Sequence, residues 1–455
     1  MEAQSQSQPQ SNEIELSPDQ QRVFEAYKRG ENIFMTGPGG TGKSALIKYI
    51  VNDAKENKKR VDVCALTGCA AILLECGAKT IHSWAGIGLA KESKSVIADK
   101  VSSNKRKKKN WLAAQVLILD EVSMLSLKLF ETLELIGRKC KISQKPFGGI
   151  QVIFSGDFFQ LPPVGNSDDI TTSQFCFESE KWNEVFKNQL QLTTMFRQKD
   201  EVYAKILNQI RKGKITRSSC DILNKFVGRK VPENELIKPT ILFPRKRDAE
   251  KINKESLSAL DSETKEYNVK DCSLEELCLT SEQIQRCNFY TKQEKEYEKN
   301  ALLSSLTTEQ TLRLKKGAQV MCVANLDLDS ELPICNGSQG IVEDFDSKYG
   351  FPIVKFRNGV VKTISPHKQA SERIPSVAVK QIPLILAWAV TIHKSQGATL
   401  EIAEMDIGNN VFACGQTYVA LSRVKNLDGL FLKSFNPYKI KVNLKVKKFY
   451  ENIIA

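Results

Sequence analysis

Residues 37–44 read Gly-Pro-Gly-Gly-Thr-Gly-Lys-Ser, and no other stretch narrows the possible folds as much. Gly37, Gly39, Gly40 and Gly42 leave the backbone free to close its N–H groups around an anion at a helix N-terminus. The apolar run Ile33-Phe34-Met35 precedes the segment and the helical pattern Ala45–Ile50 follows it. That is the strand–loop–helix context in which G-x-x-x-x-G-K-[ST] cradles the phosphates of a nucleotide. A chance glycine-rich turn gives no reason for either flank. In this reading Pro38 and Thr41 complete the loop, Lys43 bridges the β- and γ-phosphates of ATP, and the Ser44 hydroxyl ligates Mg²⁺.

Three further apolar runs end in similar polar punctuation: Val61–Leu66 before Thr67-Gly68, Val116–Leu119 before Asp120, and Val152–Phe154 before Gly156-Asp157. Between them Leu125, Leu129, Leu133 and Ile136 recur on one helical face. Strands alternating with helices predict an α/β fold on a parallel sheet, with ligands gathered at the strand carboxyl ends. Asp120-Glu121 sits at such an end. Asp120 can hold Mg²⁺ and Glu121 can orient or deprotonate an attacking water, although an Asp-Glu pair also serves simply to cap a helix. Gln160, in Gly156–Pro163, reads equally as a γ-phosphate sensor or as part of a proline-terminated turn. Phosphoryl transfer also calls for an arginine against the departing phosphate. Arg197 and Arg423 are candidates that sequence physics alone does not single out.

The second half is less regular. Thr240–Phe243, Leu384–Val390, Met405–Ile407 and Leu430–Leu432 are strand candidates, and Arg247–Leu260 is a helix candidate. Residues 261–310 are charged and poorly periodic. Residues 317–357 carry short strands broken by Asn336-Gly337 and other glycines, which predicts a small inserted β-barrel. At the C-terminus the pattern Val446, Phe449, Tyr450, Ile453 predicts a helix from about 443.

Charge then narrows the partner. Lys+Arg is 66 against 53 Asp+Glu in 455 residues, a formal net charge of +13. Such an excess favours a polyanion, nucleic acid before an anionic membrane. With 41% hydrophobic and 26% charged residues, fully disordered and collagen-like classes are excluded. The 12 cysteines contain no C-x-x-C pair and only 3 histidines are present, so a zinc cluster is not expected. The start of the chain has neither a basic nor an apolar leader segment, and no apolar run approaches the ~18 residues of a membrane span. An intracellular protein with no membrane role is expected, in the nucleus first and the mitochondrion second, with residues 1–15 as a disordered tail.

The order of motifs resembles superfamily 1 helicases, and within them the petite-integration-frequency (PIF) family of 5′-to-3′ DNA helicases, relatives of RecD. Leu16-Ser17-Pro18-Asp19-Gln20 is similar to the family's glutamine motif. Thr67–Ala71 and Thr80–Trp84 resemble its first DNA-contact motifs, and Asp120–Leu125 its signature segment. Lys145–Gly149 leading into Gly156–Pro163 resembles the third motif and Phe196-Arg197-Gln198 the fourth. Leu386–Gly397 resembles the fifth and Gln416–Arg423 the sixth. Cys69 departs from the small residue usual there, and the long N-terminal extension of many eukaryotic members is not seen.

The resemblance implies two RecA-like P-loop NTPase domains with a small SH3-like β-barrel inserted in the second. The first would span 16–190, with a basic wedge element near 86–112. The second would combine 191–260 with 378–455, around an insertion at 261–377. Gln20 would read adenine. Arg197 and Arg423 would complete the ATP site, with Mg²⁺ as cofactor. Single-stranded DNA would be held by Thr67, Gly68, Thr391 and Ser395 at phosphates, by His82, Phe158 and His393 at bases or sugars, and by Gln396. Each histidine also reads as a packed residue. The run Lys105–Lys109 could be a fork contact, an import signal or a solvated loop. The expected function is ATP-driven 5′-to-3′ unwinding of duplex or structured DNA in replication, repair, recombination or telomere maintenance, by a monomer or by a dimer on DNA. A nucleotide-switched DNA-binding ATPase and an RNA helicase are the alternatives.

Overall fold

The computed structural model describes residues 15–454 apart from 68, 69, 72, 73, 75, 89, 91, 166, 167, 198, 199, 231–236, 307, 325, 327–331, 333, 335, 372 and 373. Of the expected N-terminal tail, only Glu15 lies among them.

The first core is an α/β unit on six parallel strands: β1 (Ile33–Thr36), β2 (Val61–Ala65), β3 (Lys79–Thr80), β4 (Val116–Asp120), β5 (Gln151–Gly156) and β6 (Asn188–Gln191). Their order is β3-β2-β4-β5-β1-β6. β1, β4 and β5 are buried along their whole length. Helices cover both faces of such a sheet, so these strands read as unbroken apolar runs. Their carboxyl ends share one edge, which delivers Gly37, Glu121 and Asp157 to the same place. The helix expected directly after Glu121 starts later, at Leu127–Lys141. Val122–Met124 first makes a tight 3-10 turn, and Ser126 then caps the helix by accepting from the Leu129 N–H. Leu125 is buried just ahead of that cap.

The second core has four parallel strands in the order Ala389–Thr391, Thr240–Phe243, Ala403–Ile407, Leu430–Phe435. The insertion carries an antiparallel five-stranded sheet in the order Val361–Thr363, Pro352–Phe356, Gln339–Phe345, Gln319–Cys322, Leu384–Leu386. It has a core of its own around Val320, Val342, Val354, Phe356 and Leu384. The charged stretch before it holds two helices, Ser281–Asn288 and Lys292–Ser305, each started by a capping box.

Two boundaries differ from expectation. The apolar run 384–390 is not one strand. Leu384–Leu386 pairs antiparallel with Gln319–Cys322 of the insertion, and Ala389–Thr391 pairs parallel with Thr240–Phe243. Ala378–Gln381 also pairs with His367–Ala370, so the insertion runs well past 377. The C-terminal helix, Leu444–Ile454, forms as predicted, but it packs on the first core instead of the second. Val446 and Tyr450 enter that core, and Phe449 stacks on Phe177 with ring centroids 4.3 Å apart. Its apolar face matches the aromatic cluster beneath β1 and β5, and periodicity cannot say which core a helix will choose.

Candidate ATP site and nucleic-acid interface

A cleft of about 350 Å³ opens where the two cores face each other. The first core lines it with Lys43, Ser44, Asp120, Glu121 and Gln160, and the second with Gly397 and Arg423. Phe196 and Arg197 reach it from the connection between cores, where both of their backbone N–H groups donate to Gly40 O.

The loop at the end of β1 has Gly42 at φ 77°. This left-handed backbone suits glycine, and it starts the helix Lys43–Glu56. Lys43 folds back over the loop and donates to Gly37 O at 2.7 Å and Pro38 O at 2.9 Å. Burial pulls its ammonium below the ordinary lysine value, against the opposing pull of Asp157, Glu121 and Asp120. The Thr41 hydroxyl donates to Pro38 O. Gln20 is buried beside the loop, with Nε2 3.4 Å from Gly42 O and Oε1 accepting from the Ser17 N–H.

Asp120 and Glu121 sit at the end of β4. Burial raises both carboxyls above the usual carboxylate range, and for Glu121 the neighbouring Asp120 adds to the effect. The Ser44 hydroxyl and the Asp120 carboxylate are hard oxygen donors on the wall of one cleft, which fits Mg²⁺. Arg423 is buried. It donates to Val419 O at 2.8 Å, Ala398 O at 3.1 Å, Ser395 O at 3.2 Å and Ser422 Oγ at 2.7 Å. Burial, then the like charge of Arg197, brings its guanidinium down to about 10. Burial likewise lowers Arg197.

Gln396 was expected at DNA, and the structure moves it. Its Nε2 donates to Glu121 Oε2 at 3.2 Å and Gln160 Oε1 at 3.3 Å, because the loop after Ala389–Thr391 faces the cleft. Gln396 Oε1 is buried with no hydrogen-bond partner among the described residues. Tyr418 lies within the segment Gln416–Arg423, whose sequence alone does not single it out. Its hydroxyl accepts the Gly39 N–H at 3.0 Å, a direct tie from the second core to the phosphate loop. Gly415, at φ 77°, lets that core approach: a Cβ there would lie 2.4 Å from Gln160 O.

Phe158 is a further correction. It is 1% exposed, inside the aromatic cluster with Phe34, Phe177 and Phe449, and cannot meet a base. Thr391 and Ser395 are buried, and their hydroxyls are used within their own turn: Thr391 Oγ1 accepts from the Lys394 N–H and Ser395 Oγ donates to Ile392 O. Thr67 is exposed, and Gly68 lies outside the described residues. His82 and His393 are half-buried, and burial lowers both imidazoles. His393 lies nearly parallel to Phe412, which is 57% exposed, with centroids 6.4 Å apart. Phe412 carries no motif signal that sequence reading could have used. In the basic run, Arg106 is engaged by the insertion. It donates to Glu294 at 2.7 Å and Phe289 O at 2.6 Å and lies over the Tyr290 ring at 4.5 Å. Among the described residues no helix is long and apolar enough to cross a membrane.

Residues 15–221 match the family described as PIF1-like helicase, and residues 297–345 match the 2B domain of DNA helicase Pif1. The chain is 32% identical to the ATP-dependent DNA helicase RRM3 of Saccharomyces cerevisiae, over 97% of this chain and 68% of that protein. It is 34% identical to human ATP-dependent DNA helicase PIF1, over 97% of this chain and 64% of that one. The chain thus spans about two thirds of the length of the curated relatives it matches. The crystal structure of Pif1 helicase from Candida albicans superposes with a TM-score of 0.75 at 32% identity, covering 97% of this chain and 100% of that one. Bacteroides Pif1 bound to ssDNA gives 0.66 at 27% identity, with 97% of each chain covered. With the nucleotide cleft and both cores accounted for, the chain belongs to the PIF1-like helicase family.

Proposed function

We propose that this protein is an ATP-dependent DNA helicase that moves 5′ to 3′ along single-stranded DNA and unwinds duplex or structured DNA. One observation carries the reading: Lys43, Asp120 and Glu121 of one core and Arg423 of the other line a single cleft. A site built from two bodies is completed when they approach, so hydrolysis there is coupled to their relative motion.

ATP phosphates would enter against the Gly37–Ser44 backbone, and Lys43 would exchange its two carbonyl partners for phosphate oxygens. Ser44 and Asp120 would hold Mg²⁺, which when bound neutralises phosphate charge. Glu121 accepts a proton from the attacking water once its carboxylate is ionised, with Gln396 and Gln160 fixing its direction. Arg197 and Arg423 balance the charge that spreads over the transferred group. An arginine in that role is worth on the order of 10³–10⁵ in rate. ATP binding would draw the two cores together and hydrolysis would release them, so a strand gripped by each core in turn advances. The half-buried His393 and the exposed Phe412 supply a stacking surface for bases, worth roughly 1–3 kcal/mol per base. The relatives named as DNA helicases, and Bacteroides Pif1 bound to ssDNA, support DNA as the track.

Strand displacement on DNA with a 5′ overhang, compared with 3′-overhang and RNA duplexes, tests the proposal. ATP-dependent opening of the 5′-overhang DNA is expected. Opening only of RNA, or ATP hydrolysis without any opening, contradicts it. K43A should bind DNA and hydrolyse no ATP.

A further inference from the structure

Asp157 directly follows β5, three residues before Gln160, and its side chain is fully buried. Arg211, 2% exposed, comes from the second core at the end of the helix Glu201–Arg211. Its Nε donates to Asp157 Oδ2 and its Nη2 to Oδ1, both at 2.9 Å. The guanidinium lies over the Phe159 ring at 4.5 Å and the Tyr450 ring at 5.3 Å. Asp157 Oδ1 also accepts from the Phe159 N–H at 3.2 Å and the Tyr450 hydroxyl at 3.3 Å. The Tyr450 oxygen accepts the Phe158 N–H at 3.1 Å and meets Thr36 Oγ1 at 2.5 Å. Four segments converge here: the root of the phosphate loop, the turn that presents Gln160, the end of a second-core helix, and the returning C-terminal helix.

Such a pair is a poor source of stability. Withdrawing two charges from water costs about as much as their attraction returns, and apolar replacements of similar size are often neutral or better. A satisfied two-pronged fork does supply orientation. What it orients can be read from the helix itself. At its start, the Asp200 cap accepts from the Tyr203 N–H, three residues after Arg197. There also, the Tyr203 hydroxyl donates to Leu421 O at 2.6 Å, two residues before Arg423. At its end, Arg211 grips the turn in which the Gln160 N–H donates to Asp157 O at 2.9 Å. The helix is therefore a strut of 11 residues between both arginines and the first-core glutamine.

We infer that Asp157 and Arg211 are a positioning pair for ATP hydrolysis, setting Arg197 and Arg423 in register with Gln160 and Glu121. The inference rests on the proposed ATPase activity. It is tested on the full chain with R211M, D157N, the double variant D157N/R211M, and R211K. Each single neutral variant leaves a charge buried alone and melts at a lower temperature. The double variant removes both charges while Asn keeps an acceptor for the Phe159 N–H, so it recovers thermal stability. Its kcat for DNA-stimulated ATP hydrolysis stays at least tenfold below wild type, while affinity for N-methylanthraniloyl-ATP stays within threefold. R211K keeps the charge but loses the fork, and its kcat falls between three- and tenfold. A double variant that regains kcat together with its melting temperature, or R211K at wild-type kcat, overturns the inference and leaves a structural ion pair. A wild-type chain without ATPase activity removes the proposed function as well, so the two failures are distinguishable.

Discussion

Replacing Arg423 separates a charge from the geometry that aims it. Its guanidinium spreads over three backbone carbonyls, of Val419, Ser395 and Ala398, and over the Ser422 hydroxyl. Those bonds tie the loop carrying Gln396 to the helix carrying Tyr418. R423A removes the positive charge and takes the donor from Ala398 O, while Val419 O keeps the Ser422 hydroxyl and Ser395 O keeps the Ala398 N–H. An arginine finger contributes about 10³–10⁵ in rate, which at ~1.36 kcal/mol per tenfold is about 4–7 kcal/mol of barrier. A carbonyl left dry costs roughly 1–3 kcal/mol of stability. R423K retains a positive charge but offers one ammonium where a planar fork served several acceptors. Steady-state ATPase assays with saturating single-stranded DNA, alongside thermal melts, should show R423A at a thousandth of wild-type kcat or below. R423K should lie below a tenth, with both variants less stable. A lysine variant that keeps more than a tenth of wild-type kcat would refute the reasoning, because a point charge would then suffice.

Other expectations follow from the same contacts. F158A removes a ring from the aromatic cluster and should cost about 3–5 kcal/mol in urea unfolding of the first core, whereas F158L should cost less than about 1.5 kcal/mol and bind single-stranded DNA like wild type by fluorescence anisotropy. Weakened DNA binding by a stable F158L would restore the base-contact role. In the basic run, neutralising Lys105, Lys108 and Lys109 together should reduce the log–log salt slope of duplex binding by about 0.9 for each lysine that meets a phosphate. R106A should leave that slope unchanged and make the insertion more open to limited proteolysis. Burial lowers His82, His367 and His393 from the ordinary 6.5, so the neutral form is favoured and protonation requires a lower pH. Proton NMR should give three imidazole midpoints, all below 6.5. A midpoint above it would contradict the burial seen here. H393A and F412A should each weaken single-stranded DNA binding by roughly 1–3 kcal/mol, and no loss from either would remove the stacking surface.

What a chain can show before it folds is whatever its neighbours in sequence enforce. The Gly37–Ser44 loop, the buried strands at 33, 61, 116 and 152, and Asp120-Glu121 at a strand end were all legible, because phosphate binding and strand burial depend on residues only a few positions apart. The same local rules erred where one pattern served two masters. The apolar run 384–390 could not reveal that half of it closes an antiparallel sheet and half extends a parallel one. Phe158 stood in a motif among polar residues, yet its side chain points beneath the sheet into the aromatic cluster. Gln396 was among the residues the family resemblance implies at DNA, but the loop that carries it turns toward Glu121 and Gln160. The sequence alone determined that this chain has a phosphate-binding α/β core and a basic surface. Only the tertiary structure decided how the second core meets the first, because Arg211 meets Asp157 and Tyr418 meets Gly39 across separations that no local pattern encodes, and the cleft exists only once those contacts are made.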